Sequence, residues 1–129
     1  MQFQLVKNRH QDKPMEPGHV YLDVGRKTVS YEGWEVYLQP RVFRTMVILA
    51  ANTDRYSSSW DIFYSVWGEP EDGGPLDATR AVFIAIMYLR RKLAPLGIGI
   101  HTRHGYGYTL TTSQKFSRQN SESDLLTAA

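Results

Sequence analysis

Cysteine is absent from all 129 residues. That excludes disulfides and thiol catalysis, and it fits a reducing, cytoplasmic location. No apolar run reaches the roughly 18 residues that would cross a bilayer, so no membrane partner is expected. The opening "MQFQLVKNRHQDKP" lacks the apolar core of a signal peptide. There is no internal repeat. The net charge of +2 is too small to name a partner. A more local absence says more. From Ala78 to Leu110 there is no Asp or Glu, while Arg80, Arg90, Arg91, Lys92 and Arg103 all fall there with His101 and His104. From Asp61 to Asp77 the balance reverses, with five acids and no Lys or Arg. A basic surface for a polyanion beside an acidic loop is one reading, and an unevenly charged solvated surface is the other.

What is present is one domain's worth of apolar residues, 42% of the chain. Residues 1–19 read as a loose arm with a short strand, "FQLV", followed by Pro14, Pro17 and Gly18. Residues 20–110 hold the folded domain. In "VYLDVGRKTVSYEGWEVYL" the alternation of Val29, Tyr31, Val36 and Leu38 predicts an antiparallel meander, with turns at Gly25 and at Glu32-Gly33. Pro40 opens a first helix whose stripe is Val42, Phe43, Met46, Val47, Leu49 and Ala50, with Asn52 as its stop. Ser58 or Ser59 caps a second helix, "WDIFYSVW", with Ile62, Phe63, Val66 and Trp67 inward. "GEPEDGGP" is a loop by composition. Asp77 or Thr79 caps a third helix ending near Pro95. "LGIGIHTRHGYGYTL" reads as a hairpin. Residues 111–129 form a polar tail expected to be disordered.

The order is sheet, three helices, hairpin: an α+β chain in the outline of a winged helix-turn-helix. "YLQPRVFRTMVILAAN", "FYSVWG" and "TRAVFIAIMYLRRKL" resemble, in order, the three helices of OmpR/PhoB-type winged-helix domains. The third matches at Arg80, Val82, Ile86, Leu89, Arg90, Lys92 and Leu93. "IHTRHGYGYTL" resembles their wing through Gly105, Gly107 and Tyr108. The resemblance covers residues 20–110. It implies a transcriptional regulator that binds duplex DNA, with the third helix in the major groove and the wing at the minor groove. Most relatives carry a receiver domain; this chain is expected to stand alone without one. In relatives the loop between helices two and three can contact RNA polymerase, which makes Glu69, Glu71, Asp72 and Asp77 a candidate partner loop.

At 100° per residue, Val82, Ile86, Leu89 and Leu93 form the core arc of the third helix. Arg80, Ile84, Met87, Tyr88 and Arg91 lie opposite. Arg80, Arg90 and Arg91 are candidates for phosphates. Ile84, Met87 and Tyr88 are unusual readers, because bidentate pairing with bases needs polar groups. Three readings stay open. The trio reads DNA by shape and thymine contact, or it docks a protein such as the polymerase, another regulator or a second copy of the chain, or it packs internally. Phe83 and Ala85, on the flanks, are expected to pack. On the wing, Thr102, Arg103, His104 and Tyr108 are candidates for DNA. The family usually carries Arg directly before its first wing glycine. Here that place is His104, so the shift could turn Arg103 away from the groove. Tyr108 either bonds a phosphate or packs the hairpin.

Other chemistry does not assemble. His101 and His104 lack a third metal ligand. "GYGY" precedes no helix, so it is no phosphate loop. The acidic loop lacks the alternation and closing Glu of a calcium site. Neither a cofactor nor an enzymatic activity is expected. The last residues, with Leu125, Leu126, Ala128 and Ala129, resemble tails gripped by bacterial ATP-dependent proteases; an inert tail is the alternative.

Overall fold

A computed structural model describes residues 2–7, 16, 18–68 and 77–112. Four strands come first: β1 (Gln2–Val6), β2 (His19–Asp23), β3 (Thr28–Tyr31) and β4 (Trp34–Tyr37). Three helices follow: α1 (Pro40–Ala51), α2 (Ser59–Trp67) and α3 (Ala78–Leu93). A 3-10 turn at Ala94–Leu96 leads into β5 (Ile98–Arg103) and β6 (Gly107–Thr112). The strands make a sheet in the order β1-β2-β3-β4 and a separate β5-β6 hairpin. This is the winged helix-turn-helix expected from the sequence, α+β, with the meander in front and the hairpin behind.

The meander turns as its residues require, with one exchange. Glu32 and Gly33 both take positive φ, 51° and 85°, between the paired Tyr31 and Trp34. Two such residues in a two-residue connection match the right-handed twist of the flanking strands. In the β2–β3 turn the left-handed residue is Lys27 (φ 58°), not Gly25. Asp23 makes this possible, accepting from Arg26 N through its carboxylate and from Lys27 N through its carbonyl. Gln2–Val6 does more than decorate an arm. It pairs in parallel with His19–Asp23, and the Gln4 amide meets the His19 ring at 2.7 Å. Positions 7–18 supply the dozen or so residues that a parallel return needs.

The helices bury the arcs that their periodicity gave them. Val82, Ile86, Leu89 and Leu93 of α3 are fully buried against Met46 and Leu49 of α1 and Ile62 of α2. Ile98, Ile100, Tyr108 and Leu110 close the core from the hairpin side, and Val20, Leu22 and Val29 from the meander. Asn52 stops α1, its side-chain amide donating to Ile48 O. Ser58 caps α2 by accepting from Asp61 N, and Asp77 caps α3 by accepting from Arg80 N. Ser58→Ala should therefore cost about 1 kcal/mol in a thermal or urea melt, while Ser59→Ala stays near zero. Equal costs at the two serines would show that the hydroxyl of Ser58 is not the cap.

The tail from position 113 onward lies outside the described residues, as do Glu69, Glu71 and Asp72 of the acidic loop. Asp77 is described, and its carboxylate is occupied by the α3 cap. The hairpin runs two residues past the expected boundary at 110, because Thr111 and Thr112 pair with Gly99 and Ile98.

Candidate nucleic-acid interface

Burial of one arc of α3 leaves the other facing out. Ile84 and Met87 are each 40% exposed, Tyr88 54% and Phe83 47%. Together with Arg80 and Arg91 they line one shallow hollow of ≈ 320 Å³. Arg91 leans over the Tyr88 ring at 5.8 Å from its centroid. The floor is apolar and the two charges stand at its ends. Phe83 departs from expectation, being exposed rather than packed, whereas Ala85 is buried. Phe83 sits about a quarter turn from the centre of the core arc. On that flank the hairpin meets Arg90, two turns further along, and not Phe83.

Arg90 is the second departure. Its guanidinium donates to Ile100 O from Nε at 3.2 Å and from Nη2 at 3.0 Å, and Nη2 also donates to the Thr102 hydroxyl. The expected phosphate ligand is thus a clip between α3 and β5. Thr102 is held by the same clip on the hairpin's helix-facing side.

The hairpin's register explains the rest of the wing. Thr102 pairs with Tyr108, and Ile100 with Leu110. These residues share the core-facing side, since successive residues of a strand alternate faces. Tyr108 is therefore a buried core residue, not an exposed phosphate ligand. Its backbone N–H and C=O both pair with Ser57, which ties the hairpin to the α1–α2 connection. His101 and Arg103 fall on the other face of the hairpin, and Arg103, next to the tip, still borders a hollow with Ser58, Ser59 and Thr79. There the Arg103 guanidinium stacks on Tyr106 at 4.1 Å from the ring centroid. The Tyr56 hydroxyl lies 2.9 Å from His101 Nδ1, and the Tyr56 ring packs on both His101 and Tyr106. Tyr106 and Tyr56 were not among the sequence candidates. An exposed aromatic between two wing glycines was the available signal for Tyr106.

The wing stands beside α3, joined to it by the Arg90 clip. Thr102 to Tyr108 line a second hollow of ≈ 320 Å³ with Ser58, Ser59 and Thr79. Ser58, Ser59 and Thr79 place the N-terminal ends of α2 and α3 at this second hollow. Free backbone N–H groups at such ends suit anions. Two acids stand two residues from this lining in sequence: Asp77, whose carboxylate caps α3, and Asp61, exposed in the first turn of α2. Among the described residues no group of three potential metal ligands exists, and no helix is long and apolar enough to cross a membrane.

Comparison with known proteins agrees with this geometry. The family model described as "Transcriptional regulatory protein, C terminal" matches residues 33–110. The DNA-binding domain of Bacillus subtilis CssR superposes with a TM-score of 0.58 at 24% identity, covering 71% of this chain and 99% of that one. The C-terminal domain of the nisin resistance regulator NsrR gives 0.59 at 25% identity, covering 76% and 96%. The AdeR DNA-binding domain, solved in complex with an intercistronic region, gives 0.59 at 18% identity, covering 78% and 99%. At such identities CssR and AdeR speak for the fold. A search among curated proteins gives no match.

Proposed function

The chain belongs to the family of C-terminal domains of transcriptional regulatory proteins, non-enzymatic modules of DNA binding and transcription regulation, and from that premise we propose how it engages DNA. The outer face of α3 lies in the major groove, with Arg80 and Arg91 on the phosphates that flank it. The wing tip, with Arg103, His104 and Tyr106, lies against the neighbouring backbone and minor groove. One observation carries this reading. The exposed side of α3 and the wing are clipped together by Arg90 and carry Arg80, Arg91 and Arg103 outward, within a stretch of chain that contains no acid from Ala78 to Leu110. The AdeR DNA-binding domain, a domain of this fold in complex with an intercistronic region, supports the partner. The regulated process takes place on DNA in the cytoplasm.

A salt titration tests the reading. Affinity for duplex DNA should fall with salt at about 0.9 log units per log unit for each phosphate neutralised. Replacing Arg91 and Arg103 together by Ala should make that slope shallower by about 1.8. A parent slope near zero, or an unchanged slope in a folded double variant, would remove this face from consideration.

A further inference from the structure

We propose that α3 recognises thymine through its 5-methyl group, so that the chain selects duplexes by the methyl pattern of the major groove rather than by hydrogen bonds to base edges. The proposal rests on the DNA-binding reading above and gives it a substrate class.

Positions 81–89 read Ala-Val-Phe-Ile-Ala-Ile-Met-Tyr-Leu. The paired donors and acceptors that read guanine or adenine edges come from Arg, Lys, Asn, Gln, Asp or Glu. None stands there, and the Tyr88 hydroxyl alone makes no bidentate pair. The cations at the ends, Arg80 and Arg91, are separated by about 16 Å along the axis, eleven residues at about 1.5 Å each. They rim the hollow, while Ile84, Met87 and Phe83 make its floor. A purely apolar partner would leave the two guanidinium groups without counter-charges. A polyanion with apolar knobs satisfies both parts. The major groove over A·T pairs is such a surface, with phosphates on its walls and the thymine methyl projecting from its floor. Met87 is unbranched and adapts to the position of a methyl, and Ile84 presents a stiff branched face beside it.

The experiment starts from a random duplex pool. The full chain enriches bound duplexes, which are then remade with 2′-deoxyuridine for thymidine, removing methyl groups and nothing else. Each contacted thymine should account for about four-fold in affinity, that is ~0.8 kcal/mol for one methyl-sized group withdrawn from water. Two contacts give about fifteen-fold. The salt slope should be the same on both duplexes, since the phosphates are untouched. The Ile84→Ala/Met87→Ala variant should bind both duplexes with a ratio near one. Both side chains are 40% exposed and lie outside the buried core cluster, so the fold is expected to persist, and a melting curve checks it. A ratio near one for the parent, with salt-dependent binding intact, overturns the thymine inference and leaves DNA binding standing. A ratio that survives in the folded double variant overturns the assignment to these side chains. A parent that binds neither duplex, an acidic protein then being the better fit to the rim, overturns the DNA reading and this inference with it.

Discussion

Gly107→Ala is expected to lower folding stability by about 3 kcal/mol and to release the wing from the helical body. Two costs combine. Gly107 has φ 126°, a region that side-chain-bearing residues avoid. A Cβ there would also stand 2.0 Å from Ser57 O and 2.9 Å from Ser58 Cα, both backbone atoms that cannot swing aside. The segment that would have to retreat is the one bonded to Tyr108 through both N–H and C=O. It also carries the Ser58 cap of α2. The damage should therefore spread from hairpin to helix. Gly105 is the control. It too has positive φ, 86°, but a Cβ there meets nothing within 4 Å. Gly105→Ala should cost about 1 kcal/mol, the conformational part alone. Urea melts of the two variants decide the matter. Equal costs would show that the contact with Ser57 is relaxed away, and that the wing is not pinned at this point. DNA affinity should follow the same order, because the proposed face needs wing and α3 in fixed relation.

The contrast between these glycines shows where the sequence was legible and where it was not. Both were readable as turn residues of a wing. That one of them lies under the backbone of a residue fifty positions earlier is a tertiary fact with no local trace. The same division runs through the chain. The core arc of α3 was legible because a 3.6-residue period puts Val82, Ile86, Leu89 and Leu93 on one line whatever they touch. Phe83 was not, since a residue at the margin of that arc is buried or bare according to whether a neighbour covers it. Periodicity showed β2 to β4, but not that Gln2–Val6 would join them in parallel, a pairing set by long-range contacts. Gly25 placed the first turn by composition, without showing which of its residues would be left-handed. Asp23, bonding two successive N–H groups, set that conformation at Lys27. The outer face of α3 was legible almost residue by residue. The wing was less so, because its alternation assigns Tyr108 to the core and Arg103 to the far side only once the pairing register is known.

Arg90 gives the sharpest test of that last point, because its family position suggested phosphate while its bonds go to the hairpin. Arg90→Met keeps the aliphatic stem and removes the guanidinium. It should cost about 2 kcal/mol of stability, the range for hydrogen bonds made by a charged group. The loss should concentrate in the hairpin, where Ile100 O and the Thr102 hydroxyl lose their donor. Amide exchange along β5 and β6 should quicken more than along α1. Arg90→Lys should recover little of this, because one ammonium cannot reproduce the fork that holds two acceptors. DNA affinity should fall in Arg90→Met, since a loosened wing must be ordered again on binding, but the salt slope should stay within about 0.3 of the parent's. A phosphate contact predicts the reverse pattern: a slope shallower by about 0.9 with stability unmoved. The two quantities are measured on the same protein and move independently. A slope change without loss of stability would return Arg90 to the phosphate backbone and leave the hairpin held by Ser57 and the core alone.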